Sequence, residues 1–145
     1  MKKMMAICVA QPFATDIING DKCIEALKWG TNFRGEILIC SSAEPMPAPG
    51  MEFVAEDPKN YPLGCVLGKV TLVDCVPMHP RMREAAYMNA GASVEEYFAW
   101  ILDAPVKAER CYEPLSAVNE DGFFEADVPD ELAMAKGAPS CCRCA

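Results

Sequence analysis

The chain alternates short, nearly uninterrupted apolar runs with polar segments punctuated by Pro and Gly. Residues 4–10 form the first run, with the length and composition of a buried strand. Pro12 then opens residues 13–19, where apolar side chains at 13, 14, 17 and 18 fall on one helical face and Asn19-Gly20 ends the segment. Residues 23–29 and, more firmly, 35–40 with Ile37, Leu38 and Ile39 predict two further strands. Five prolines and several acids in residues 43–62 predict a long loop with room for one helical turn. Loops of that length in small domains are more often functional or mobile than idle. Residues 64–76, rich in Val and Leu, predict the clearest strand, and Pro77 and Pro80 break it. A helix is expected over residues 82–92, then a short turn capped by Ser93 with Glu95 and Glu96 near its start. Strands over residues 97–102 and 123–128 complete the pattern. It describes an α+β domain of about five to six mostly antiparallel strands, a small barrel flanked by short helices.

Composition fits that picture. With 145 residues, 52% apolar and 23% charged, the chain can bury a core as one domain, and wholesale disorder is excluded. No stretch approaches 18 uninterrupted apolar residues, so no membrane-spanning helix is expected. Lys2 and Lys3 ahead of an apolar run read briefly like a signal peptide. Pro12 and Asp16 cut the run short and no small-residue cleavage site follows, so a cytoplasmic location is expected.

Nine cysteines is an odd number, and Cys8, Cys40, Cys65 and Cys75 sit inside apolar runs. They read as small buried thiols rather than a disulfide framework. Cys141, Cys142 and Cys144 crowd a tail, residues 131–145, that follows a domain over residues 1–130. They have no C-x-x-C partner and read as an oxidisable end rather than a metal site. His79, the single histidine, stands in a Pro-flanked loop, and neither a metal nor a cofactor is expected.

The net charge of −8 argues against broad binding to nucleic acid, because a protein that grips phosphates presents a basic face. Its distribution narrows the exclusion. Residues 1–35 carry five bases and three acids, a net of +2, while the remainder carries eight bases and eighteen acids, a net of −10. A small anion or a few nucleotides fit the first quarter, and a long duplex would be repelled. The stretch 120–131 holds six acids and no base, a solvated face.

Three motifs occur in order: Gln11-Pro12-Phe13-Ala14, then Gly20-Asp21-Lys22-Cys23-Ile24-Glu25, then Arg34-Gly35-Glu36-Ile37-Leu38-Ile39. Together with Gly64-Cys65-Val66-Leu67-Gly68-Lys69-Val70 and Tyr97-Phe98-Ala99-Trp100-Ile101-Leu102, they resemble the ASCH domains of the PUA-like superfamily. The resemblance runs from about residue 5 to residue 128. It implies a small PUA-like barrel with a cleft beside the G-x-K-x-x-E segment, binding RNA, a nucleotide or a modified nucleoside. Some small members hydrolyse N4-acetylcytidine with a Lys and, three positions on, a Thr nucleophile. Here that position is Glu25, which cannot replace an activated hydroxyl. The Arg that often follows the motif Glu by two positions is Leu27 here.

Lys22 and Glu25 are the leading candidates, as ligand contacts or, in an enzyme, as an acid–base pair. The plain alternative is an ion pair that pins a turn. An extended backbone would send side chains three apart to opposite faces, so both can serve one cleft only if the chain bends between them. Phe13, Lys28, Trp29 and Arg34 are candidates for a stacking and phosphate-binding platform, with Gln11 beside it and Tyr61 capping it from the Pro-rich loop. Phe13 and Trp29 suit a core equally well. Alternatives for the whole chain are a hydrolase of modified nucleosides or RNA, and a protein–protein module using the loop 43–62.

Overall fold

A computed structural model describes residues 1–113 and 118–138, and the tail cysteines Cys141, Cys142 and Cys144 lie outside the described residues. Six strands form one sheet: β1 (Lys2–Val9), β2 (Ile24–Leu27), β3 (Gly35–Ser41), β4 (Val66–Pro77), β5 (Phe98–Tyr112) and β6 (Phe124–Val128). Their spatial order is β2-β5-β4-β3-β1-β6. Among the described residues only β1 and β3 run parallel, with Ala6 opposite Leu38 and Cys8 opposite Cys40; the other ladders are antiparallel. The α+β class therefore holds. The barrel does not close by hydrogen bonds, since β2 and β6 are the two edges and no ladder joins them among the described residues.

The apolar runs at β1 and β3 are continuous because both faces of these strands are covered. On one face Ile7, Val9, Ile37 and Ile39 meet Ala14, Ile17 and Ile18 of helix α1 (Phe13–Ile18). On the other, Ala6, Leu38 and Cys40 meet β6 and Leu132 of helix α3 (Asp130–Met134). A third cluster gathers Ile24, Ala99, Met78, Met82, Ala86 and Val94 over the β2–β5 end of the sheet.

The hairpin of β4 and β5 is longer than the pattern predicts, and residues 103–112 of β5 are not legible as strand. The register shifts three times along this pair. The shift beside Asp103 takes up Pro105, which lacks a ladder donor, and Ala104, whose φ is +52°. Gly68, paired with Lys107 at the neighbouring shift, is required there because a Cβ would lie 2.2 Å from the carbonyl oxygen of Val106.

The helix expected over residues 82–92 is not formed. A 3₁₀ turn at Pro80–Met82 continues only as turns. They close when Tyr87 adopts φ +59°, with its amide bonded to the Glu84 carbonyl and the Met88 amide to the Arg83 carbonyl. This is the left-handed closure normally given to Gly, and it stops the helix before its second turn. The turn in the Pro-rich loop is helix α2 (Glu52–Glu56). Cys8, Cys40, Cys65, Cys75 and Cys111 are free thiols, whereas Cys23 is disulfide-bonded. No helix among the described residues is long and apolar enough to cross a membrane.

Candidate functional site

Gly20 ends α1 at φ +85°, and the chain bends before entering β2 at Ile24. Lys22 lies in that bend rather than in the strand. Its side chain therefore folds back, and Nζ donates to the Ile24 carbonyl at 2.5 Å and to Oε1 of Glu25 at 2.5 Å. The bend is what lets residues three apart meet. The Lys22 side chain is 0% exposed and that of Glu25 11%. The rings of Phe13 and Tyr87 stand 5.3 and 5.7 Å from Nζ, giving the ammonium two aromatic faces in place of water.

Glu25 opens on a cavity of about 510 Å³. Phe13 and Ala26 continue its floor, and Met46 and Met51 from the Pro-rich loop form one wall. Tyr87, Met88 and Asn89 form the opposite wall, and Tyr97 lies at the β5 end. The loop 43–62 is held against the fold by the Met46 amide on the Gln11 carbonyl (3.0 Å) and by Thr15 Oγ1 donating to the Asn60 carbonyl (2.9 Å). Tyr87 meets Phe13 edge to face at 5.9 Å, and its hydroxyl donates to the Asp21 carbonyl at 3.2 Å. Burial, with the Asp16 and Asp21 carboxylates nearby, pushes the Tyr87 phenol up, so it stays protonated as a donor. Asp16 is itself pushed up, first by burial and then by Asp21, against the opposing pull of Lys22.

The structure thus brings together Phe13, Lys22 and Glu25. Lys28 is exposed near the rim, its ammonium 5.7 Å from the Tyr97 ring centre. The other four candidates are elsewhere. Gln11 is fully buried, its amide spent on Thr15 and on the Pro62 carbonyl. Trp29 packs on Trp100 and Phe123 at 4.6 and 5.1 Å, an aromatic plug on the first core cluster. Arg34 is tied to Asp74 and to the Thr31, Phe33 and Cys75 carbonyls. Tyr61 packs on Phe53 and lines a different cavity beside α1. His79 caps the 3₁₀ turn by accepting from the Arg81 amide. Among the described residues no group of three or more His, Cys, Asp or Glu is disposed to hold a metal ion.

Sequence reasoning missed Tyr87, Tyr97, Met46 and Met51. Reading residues 82–92 as a helix hid Tyr87. The methionines of the loop carry no periodicity, and only the loop's length signalled a role.

The ASCH domain family profile matches residues 7–116. Human activating signal cointegrator 1 is 36% identical over 81 residues, covering 48% of this chain and 14% of that protein. Its mouse counterpart is 35% identical over 77 residues, covering 46% of this chain and 13% of that protein. The chain therefore corresponds to a small part of these longer relatives. The ASCH domain is a PUA-like fold associated with RNA binding. The profile spans most of the chain, including both residues of the buried pair, and the chain belongs to the ASCH domain family.

Proposed function

We propose that this ASCH domain binds RNA in the cytoplasm by taking one base of a short single strand, or a free nucleotide or nucleoside, into the Glu25 cleft. The observation that carries this reading is the Lys22–Glu25 pair beneath two aromatic rings, with the carboxylate, and not the ammonium, at the cavity. A carboxylate fixed in this way accepts from the exocyclic amine or ring N–H of a base, and from both at once on a guanine-like edge. Tyr87, Tyr97 and the methionines provide apolar and aromatic surface for the base plane. A long duplex stays excluded by the acidic remainder of the chain.

The hydrolase alternative has less support. No Ser, Thr or Cys is among the residues lining the described cavity, so a hydroxyl or thiol nucleophile of the Thr type is wanting. Lys22 is occupied by the Ile24 carbonyl and by Glu25, which suits a positioning role better than that of a free base. The loop 43–62 serves as a wall of the cleft, which gives it a role without a protein partner.

Thermal-shift titrations with the four ribonucleosides and with short single-stranded RNAs test the reading. A specific ligand raises the melting temperature with concentration, and Tyr97→Ala and Glu25→Ala abolish the response. No shift with any of these ligands would remove the proposal.

A further inference from the structure

Four free thiols form a row across four neighbouring strands. Cys111 is on β5, Cys65 immediately precedes β4, Cys40 is on β3 and Cys8 is on β1. Cys8 and Cys40 are direct partners in the parallel ladder, while Val66, next to Cys65, pairs with both Cys40 and Tyr112. The four are not alike. Cys40 and Cys65 are buried, at 0% and 5% exposure, Cys8 is half-buried and Cys111 is exposed.

Cys8 has the setting of a nucleophile. Its Sγ lies 3.5 Å from Ser42 Oγ, and Cys40 is its partner across the parallel ladder. Those two contacts, Cys40 foremost, hold the Cys8 thiol down to about 7 against burial and the Glu120 carboxylate. The Cys40 thiol donates to the Ser41 carbonyl at 3.7 Å, and the neighbouring Cys8 sulfur and burial push it strongly up, so it keeps its proton. Cys65 is pushed up to about 12, chiefly by burial. Cys8 is half-buried, and its neighbour Ser42 borders a surface depression of about 540 Å³ with Glu44, Pro45 and Glu120.

We propose that Cys8 and Cys40 are a peroxide-reactive dithiol, with Cys8 as the attacking sulfur and Cys40 as the resolving one. The Cys8 thiolate attacks one oxygen of a hydroperoxide. An S–O bond forms, the O–O bond breaks, and the second oxygen leaves with a proton as water or an alcohol. The Cys40 sulfur then attacks the Cys8 sulfenic acid. An S–S bond forms, the S–O bond breaks, and the hydroxyl departs as water with the proton from Cys40. The two sulfurs together lose two electrons and the peroxide gains two. Paired strands run about 4.8 Å apart, within the Cα separation that a disulfide spans. A bridge between adjacent strands is strained and correspondingly easy to reduce, so the oxidation is reversible.

The test treats the full chain with near-stoichiometric hydrogen peroxide, blocks remaining thiols with iodoacetamide, and maps each cysteine by peptide mass spectrometry. The expected result is a linked pair of peptides carrying Cys8 and Cys40, two hydrogens lighter and restored by dithiothreitol. Cys8 should be consumed several-fold faster than Cys75. In Cys40→Ser, a 1,3-dione probe should label Cys8 as the sulfenic acid, while Cys8→Ser and Cys8→Ala should abolish the linked pair. Circular dichroism of each variant establishes folding, and the wild-type map decides the matter if a variant fails to fold. Oxidation confined to Cys111 or other cysteines, with Cys8 and Cys40 both still alkylated, would overturn the proposal. So would dione labelling in Cys40→Ser that misses Cys8.

Discussion

The ammonium of Lys22 lies 2.5 Å from Oε1 of Glu25, yet the two ends of this pair live in different media. The lysine side chain is 0% exposed, whereas that of Glu25 is 11% exposed and borders the cavity. Removing one member of a buried pair strands the other, at a cost of about 3–5 kcal/mol when no water can reach it. Glu25→Ala leaves such a charge, and the full cost is expected. Lys22→Met keeps the alkyl packing and leaves a carboxylate that cavity water can solvate, so a smaller loss of ~1–3 kcal/mol is expected. Urea unfolding of the two variants measures the asymmetry. Equal losses, or a larger loss for Lys22→Met, would refute this account of the pair.

Tyr87 occupies a backbone conformation with φ +59°, which costs an L-residue about 1 kcal/mol or more relative to Gly. Its ring nonetheless faces Phe13, Lys22 and the cleft. Tyr87→Gly relieves the backbone and Tyr87→Ala does not, so the Gly variant should be the more stable of the two. Both should lose nucleoside affinity by roughly 5- to 150-fold, the equivalent of ~1–3 kcal/mol of stacking. Calorimetric titration alongside thermal melting separates the effects. Wild-type affinity in Tyr87→Gly would remove the ring from the binding site.

Much of this arrangement is legible in the sequence where the backbone is regular. The runs at β1 and β3 and the Pro12-led helix α1 follow from apolar spacing, and the G-x-K-x-x-E motif singles out Lys22 and Glu25, although the bend that brings them together is not legible. What escapes does so for physical reasons. Residues 103–112 belong to β5 although Lys107, Glu109 and Arg110 break the apolar pattern, because the ladder with β4 and its bulges sustain the strand. Tyr87 looks like a helix residue in any window, since no local signal marks a tyrosine in the left-handed region. Arg34 and Trp29 lie near the motif in sequence, but Asp74 and Trp100, both distant in sequence, draw them away.

That displacement of charge bears on salt dependence. Of the three bases in residues 22–34, Lys22 is internal and Arg34 is tied to Asp74. Lys28 is the one at the rim of the cleft. Each neutralised phosphate of a single strand contributes about −0.7 to the slope of log K against log salt. Short single-stranded RNA should therefore bind with a slope of about −1 or shallower. Lys28→Ala should flatten it further, and Arg34→Ala should leave it unchanged. A slope of about −3, or a strong effect of Arg34→Ala, would place the ligand on a different surface.

Asp16 supplies a test of the electrostatics behind the cleft. Burial and the neighbouring Asp21 carboxylate push its carboxyl above the ordinary value of 3.8, and Lys22 offsets this only in part. A group whose pKa is raised on folding favours the folded state below its unfolded value, and that contribution is lost as pH rises through the folded value. At neutral pH the ionised Asp16 is thus a small liability, set against the modest benefit of an acid in the first turn of a short helix. Asp16→Asn, which cannot ionise, should melt at a higher temperature than wild type at pH 7. The advantage should shrink as the pH falls and be gone below about pH 3.8, where both forms are neutral whether folded or unfolded. Because any change in packing is common to all pH values, the difference between the two melting curves at each pH isolates the charge. An advantage that stays constant from pH 7 to pH 3 would mean that packing, and not the crowding of carboxylates around Lys22, governs this position.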